Sequence, residues 1–202
     1  MEQLLQQLEH KITQHHNLYR FPLKAELWED IFDQTINSFD SKWEGGGHSV
    51  GADVVSENNS LFLKGSRLQL KSGEYNPKNN TVKWNGHRTT KHKTIEEKID
   101  FISQNHYDYY VMLMRNKKDW KHGNKIYYLL MFESSKIDYS SLTWTEKYSK
   151  QNNITGWKGV GINQPYSGEI NISMSHQLWT TCDVNYLGTP YKIEVKNETT
   201  QR

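Results

Sequence analysis

Cysteine is almost missing from this chain: Cys182 is the only one in 202 residues. One thiol cannot close an internal disulfide or build a Cys-rich zinc site, so a reducing cytoplasm suits the chain. Long apolar runs are missing too. There is no stretch of about eighteen apolar residues, which predicts no transmembrane helix. The opening Met-Glu-Gln-Leu-Leu-Gln-Gln-Leu has no basic segment running into an apolar block, so neither a secretory leader nor a membrane partner is expected. A strong charge of one sign is lacking as well. The formal net charge is +2 with nine histidines uncounted, too mild to establish nucleic-acid binding and no bar to a basic surface confined to one cleft. No internal repeat, Walker lysine loop or His-Glu-x-x-His occurs, and no Gly-x-Ser-x-Gly accompanies Ser175-His176. An acyl hydrolase is therefore not expected.

What is present concentrates between Gly45 and Glu74. Ala52-Asp53-Val54-Val55 and Leu68-Gln69-Leu70-Lys71 read as two short strands, and Glu57-Asn58-Asn59-Ser60 as the turn between them. Side chains alternate along a strand, so Leu68 and Leu70 take one face while Gln69 and Lys71 take the other. Pairing of the strands would gather Asp53, Gln69 and Lys71 at one end of a small sheet. Asp53 could hold a divalent cation, with the Gln69 carbonyl as a weaker oxygen ligand. Lys71 could orient a water or stabilise charge on a phosphate. The same residues also suit an edge-strand acid and the solvated face of an ordinary strand.

An acid followed by acid-or-Gln, any residue, Lys resembles the PD-(D/E)XK nuclease superfamily. The Gly-Gly-His-Ser-Val-Gly-Ala-Asp approach and the Lys-Ser-Gly exit resemble its type II restriction endonucleases. The chain departs from the pattern twice: Ala52, not proline, precedes Asp53, and the second acid is Gln69. The resemblance implies a Mg²⁺-dependent endonuclease that cuts both strands of duplex DNA. It also implies a homodimer on a symmetric site and a companion methyltransferase that protects the host. A glutamate from a helix ahead of the first strand would support the metal. Glu29 is chosen for that role over Glu26 and Glu74, although a solvated helix charge suits it as well.

The chain around this stretch fits an α/β class, a central mixed β-sheet flanked by helices. Leu4, Leu5, Leu8 and Ile12 predict a helix to about residue 16. Pro22 starts a second, reaching about Phe39. Strands are expected at 81–84, 107–114, 125–132 and 169–174, and Thr94 with Glu97 forms a capping box before a helix over 95–105. Residues 116–124 read as a polar turn, 140–152 is ambiguous with 142–147 able to open a short helix, and 152–168 reads as a glycine-rich loop. This divides one nuclease domain into N-terminal helices (1–40), a catalytic core (about 41–135) and a DNA-reading part (about 136–196).

Several segments suit double-stranded DNA. His48 and Ser49 in the glycine-rich approach could reach a phosphate, as could His87, Arg88, Thr89 and Lys91 in the densest basic stretch. Asn163 and Gln164 in the later loop, and Asn171, Ser173, Ser175, His176 and Gln177 along and after the last expected strand, offer donors and acceptors for base edges. A protein that binds nucleic acid without cutting it uses the same surface, Gln69 leaves open a nuclease for modified DNA or repair intermediates, and an intracellular ribonuclease is a third reading.

Overall fold

Leu4, Leu8, Ile12 and His16 recur about one turn apart, and all four are buried along the first helix. The computed structural model describes residues 2–39, 41–43, 53–56, 62, 65–104, 106–121, 125–161 and 170–195. In chain order the elements are α1 (Glu2–Leu18), α2 (Ala25–Ile36), β1 (Ser41–Trp43), β2 (Val54–Ser56), β3 (Arg67–Asn76), β4 (Thr81–Arg88), α3 (Ile95–Ser103) and β5 (Tyr109–Arg115). They continue with α4 (Lys117–Lys121), β6 (Ile126–Glu133), β7 (Thr143–Tyr148), β8 (Ile154–Val160), β9 (Ile170–Ser173), β10 (Gln177–Asp183), α5 (Val184–Leu187) and β11 (Tyr191–Glu194).

The strands form one mixed, mostly antiparallel sheet in the order β11-β6-β5-β3-β4-β10-β9-β8-β7, with β1 and β2 attached at β3. The β3–β5 pair is parallel. One face of β3, β5, β6 and β11 buries Leu68, Leu70, Val111, Leu113, Leu129 and Ile193 against α1 and α2. The opposite face buries Trp84, Tyr110, Met112, Met114 and Phe132 with Ile102 of α3, and this core runs on through Ile172, Leu178 and Cys182. Pairing of β4 with β10 makes the expected core and C-terminal parts one continuous sheet. Among the described residues no helix is long and apolar enough to cross a membrane.

The ambiguous stretch around 142–147 is a strand rather than a short helix, and the expected loop over 152–168 contains another. Thr143, Trp144, Thr145 and Tyr148 are β-branched or aromatic, and they pair with Ile154–Val160 in a hairpin. Gly156 allows the irregularity in that hairpin. Its φ is +145°, and a Cβ there would lie 2.2 Å from the Ile172 carbonyl oxygen, so no other residue fits. Met174, at the end of the strand expected over 169–174, is 51 % exposed because β9 ends at Ser173 and the chain turns. The polar turn at 116–124 includes α4, opened by Asn116 Oδ1, which accepts from the Lys118 N–H at 3.0 Å. The Thr94–Glu97 capping box is formed.

Helix α2 opens at Ala25 rather than at Pro22, because Leu23 is engaged elsewhere. Its N–H donates to the Tyr127 hydroxyl at 2.8 Å. That hydroxyl also meets His16 Nε2 at 3.0 Å, while His16 Nδ1 lies 3.1 Å from the Tyr19 carbonyl. A carbonyl only accepts, so Nδ1 carries the proton and the neutral ring accepts from Tyr127 at Nε2. Burial pushes the His16 pKa from 6.5 down to about 4. The stability this contributes is complete above pH 6.5 and is lost as pH falls towards 4, because the unfolded chain then binds the extra proton. Urea unfolding of wild type should therefore weaken across that interval, and His16→Leu should remove part of the slope. An unchanged slope would show that other groups carry the acid sensitivity. Tyr127→Phe should cost about 1–3 kcal/mol at pH 7 by stranding the Leu23 N–H and His16.

Candidate active site

Among the described residues, strand β3 has a full neighbour on one edge only. β5 pairs with it from Leu68 to Glu74. On the other edge β2 reaches only Arg67 and Leu68, and β4 begins only at Gly73. Among the described residues, 69–72 have no strand partner on that edge, so the sheet opens into a notch. Gly73 is where the notch closes: a Cβ would stand 2.9 Å from Val82 Cγ2 and 3.1 Å from Met112 Cε. Beyond Trp84, β4 leaves β3 and follows β10.

Asp53, just ahead of β2, enters this notch. Its N–H donates to the Leu68 carbonyl at 2.9 Å. Its Oδ2 accepts from the Leu70 N–H at 2.7 Å and from Gln69 Nε2. The carboxylate thus takes an amide proton that a neighbouring strand would otherwise have bound. This fixes both Asp53 and Gln69, which is 4 % exposed. Gln69 Oε1, the acceptor end of the amide, accepts no hydrogen bond from the described residues.

Lys71 follows on the same side of β3, opposite Met112 of β5. Burial lowers its pKa, and the nearby Asp53 and Glu29 charges act the other way. Glu29 of α2 feels the same neighbours. Burial first, then the Asp53 charge, raises its carboxyl from 4.5 to about 6, against the pull of Lys71. The fold therefore brings Glu29, Asp53, Gln69 and Lys71, four residues singled out in the sequence, to one notch. Glu74 is elsewhere, in an exposed ion pair with Lys117 at 2.6 Å. Glu26 acts on Glu29 only as a further negative charge.

The oxygens at hand suit a hard divalent cation. Among the described residues no group of three His, Cys, Asp or Glu side chains forms a metal cage. Mg²⁺ does not require one, since it is commonly held by one or two carboxylates, with waters and substrate phosphates completing the shell. Glu29 and Asp53 are two carboxylates close enough to disfavour each other's charge, and Gln69 adds an amide carbonyl. A cation between them would relieve that repulsion, so the residues present fit Mg²⁺.

The residues expected at DNA divide into three groups. His48, Ser49, Asn163 and Gln164 lie outside the described residues. Arg88, Lys91 and Ser175 are exposed, and Asn171, Ser173, His176 and Gln177 are half-buried. The basic stretch and the turn after β9, far apart in sequence, are tied together: the Thr89 N–H and hydroxyl both donate to the His176 carbonyl, at 2.8 and 3.1 Å. Arg88 pairs with Gln177 across β4 and β10. Ser173 Oγ and Ser175 Oγ are 2.8 Å apart and brace the turn. Two residues are placed differently from the expectation. Thr89 is fully buried and its hydroxyl is engaged, and His87 is only 7 % exposed, because both side chains face into the fold. His87 instead borders the notch: burial, then the Lys71 charge, pushes its pKa down to about 3.

Lys98 was not foreseen. Buried in α3, it donates from Nζ to the carbonyls of His92, Lys93 and Thr94 and so anchors the basic stretch. Nothing in the local pattern distinguishes it from a solvated helix lysine. No protein-family model, curated protein or solved structure matches this chain.

Proposed function

We propose that this protein is a Mg²⁺-dependent endonuclease for double-stranded DNA, with the fold and chemistry of a type II restriction enzyme. The observation that carries the reading is the notch beside β3, where the charges of Glu29, Asp53 and Lys71 act on one another. A structural ion pair needs one acid and one base. Two acids, an amide carbonyl and a desolvated lysine at a break in the sheet suit a reaction centre better.

Asp53 and Gln69 would hold the cation with support from Glu29. Bound there, Mg²⁺ supplies neutralising charge at the phosphate and at the departing 3′ oxygen. Lys71 orients the attacking water and stabilises charge on the phosphate. Arg88 and Lys91 neutralise neighbouring phosphates, and the Ser175–Gln177 turn faces base edges. A homodimer would present one notch to each strand of a symmetric site, with a companion methyltransferase protecting the host.

The test is incubation of the purified protein with unmethylated phage DNA, in Mg²⁺ or EDTA. Discrete metal-dependent fragments are expected. If the DNA stays whole, the same assay on methylated DNA and on RNA distinguishes a modification-dependent nuclease from a ribonuclease. The second reading, a protein that binds nucleic acid without cutting it, is supported by the tie between Thr89 and His176. It predicts metal-independent binding and no cleavage of any of these substrates.

A further inference from the structure

On the α3 face of the sheet, next to the notch, lies a cavity of about 230 Å³. Ser103 and Gln104 at the end of α3, Tyr107 before β5, Tyr110, and Tyr139 with Asp138 form much of its wall. His87 closes the side towards β3. Tyr110 of this wall pairs with Gln69 across β5 and β3, and two further wall residues lie within electrostatic reach of the candidate active site. His87 feels the Lys71 charge, and Tyr107 feels that of Asp53. The two rings stack on each other at 5.6 Å with planes 8° apart.

The walls select a ligand class. Among the described residues no lysine or arginine lines the cavity, and Asp138 disfavours a phosphate there. The His87 ring is more than nine-tenths buried, yet neither of its nitrogens hydrogen-bonds to a described residue. With its pKa near 3 it stays neutral and offers one donor and one acceptor. The Tyr107 hydroxyl also makes no hydrogen bond to the described residues, and burial holds it protonated, with a pKa of about 12. The buried Ser103 hydroxyl has no partner among the described residues either. Aromatic walls with a few neutral donors and acceptors suit a flat, uncharged, polar ring. The volume lies below the roughly 300–1,000 Å³ of pockets for drug-sized ligands, so it admits one such ring and little else.

From the cavity's place beside the notch and its aromatic lining with neutral His87, Tyr107 and Ser103 groups we infer that this cavity is a subsite for a single nucleobase, with its sugar and phosphate left outside on the Lys71 side. The inference uses the nuclease reading only for the source of the base, a nucleotide turned out of the stack beside the cut phosphate. Such extrusion costs a few kcal/mol, least for mismatched or modified bases. A free nucleoside would occupy the same walls.

The test uses the intact protein in EDTA, where no cleavage occurs. Nucleosides, including adenosine, guanosine, cytidine, thymidine and 5-methylcytidine, are titrated by NMR. Short single-stranded oligonucleotides are titrated by anisotropy. Wild type is compared with Tyr107→Leu, which removes the stacking wall, and with Ser103→Leu, which fills the cavity; circular dichroism and urea unfolding check that each is folded. At least one nucleoside should saturate in the millimolar range, with affinity falling about tenfold or more in both variants, the scale of one lost stacked base. If oligonucleotide affinity falls with it, the base comes from nucleic acid; if only nucleoside binding falls, the ligand is a free nucleoside. If no nucleoside saturates in wild type, or if the folded variants bind like wild type, the subsite is overturned. Failure of DNA cleavage leaves this result unaffected, so the two readings fail separately.

Discussion

Lys71→Met is expected to reduce cleavage of duplex DNA by about 10²–10⁴-fold, the range for losing a group that handles a proton or stabilises charge in the transition state. DNA affinity should stay close to that of wild type, because the exposed cations Arg88 and Lys91 lie on β4 and the loop beyond it, not on β3. Methionine keeps most of the length of the lysine stem, so the packing opposite Met112 survives while the ammonium goes. The fold should not suffer. Burial already disfavours the charged form of Lys71, and its ammonium makes no hydrogen bond to the described residues. Urea unfolding in EDTA and anisotropy binding, run beside the gel assay, separate the possibilities. Loss of cleavage with intact stability and binding identifies a chemical role. Loss of all three marks Lys71 as a structural residue, and unchanged cleavage removes it from the mechanism.

Much of this site was legible because it depends on alternation. Gln69 and Lys71 had to share a face of their strand once Leu68 and Leu70 faced α1 and α2. Placing Asp53 beside them needed only that two neighbouring strands pair, which β2 and β3 do. The break in the sheet was not legible. It arises because β4 joins β3 only from Gly73, and register between strands is set by side chains on both. The β7–β8 hairpin was missed because its glycines read as loop, although Gly156 is required there by backbone contact with β9. His87 was read as a phosphate contact because it stands in a basic run. His87 lies three residues after the buried Trp84, so alternation alone would send it outward; the irregularity where Asn85 to Arg88 oppose Trp179 to Gln177 of β10 turns it inward and Arg88 outward. Only the register of β4 against β10, closed by Thr89 on His176, shows which members of that run reach the surface.

Glu29→Gln should make the metal-free protein more stable and the proposed cleavage weaker. The Glu29 carboxyl titrates at about 6, above its ordinary 4.5, so the folded chain holds that proton more tightly than the unfolded chain does. The stability this contributes is present below pH 4.5 and is lost as pH rises through about 6. At pH 8 the ionised group therefore works against the fold, by about 2 kcal/mol at most for a shift of this size, and by less once solvent screens it. Glutamine removes the charge at nearly the same shape. In EDTA at pH 8 the variant should melt a few degrees higher than wild type, since each kcal/mol moves a chain of this length by about 2–4 °C. At pH 4.5 the difference should vanish. Added Mg²⁺ should stabilise wild type more than the variant, because binding to the folded state alone raises stability and Glu29 supports that binding. Cleavage at limiting Mg²⁺ should drop by about 10–100-fold, as is usual when a group supporting a metal is lost. A charge that weakens the fold and strengthens a metal site is what a reaction centre requires. A variant that is less stable in EDTA, or that cleaves as well as wild type, would instead make Glu29 an ordinary helix carboxylate and return the notch to Asp53, Gln69 and Lys71 alone.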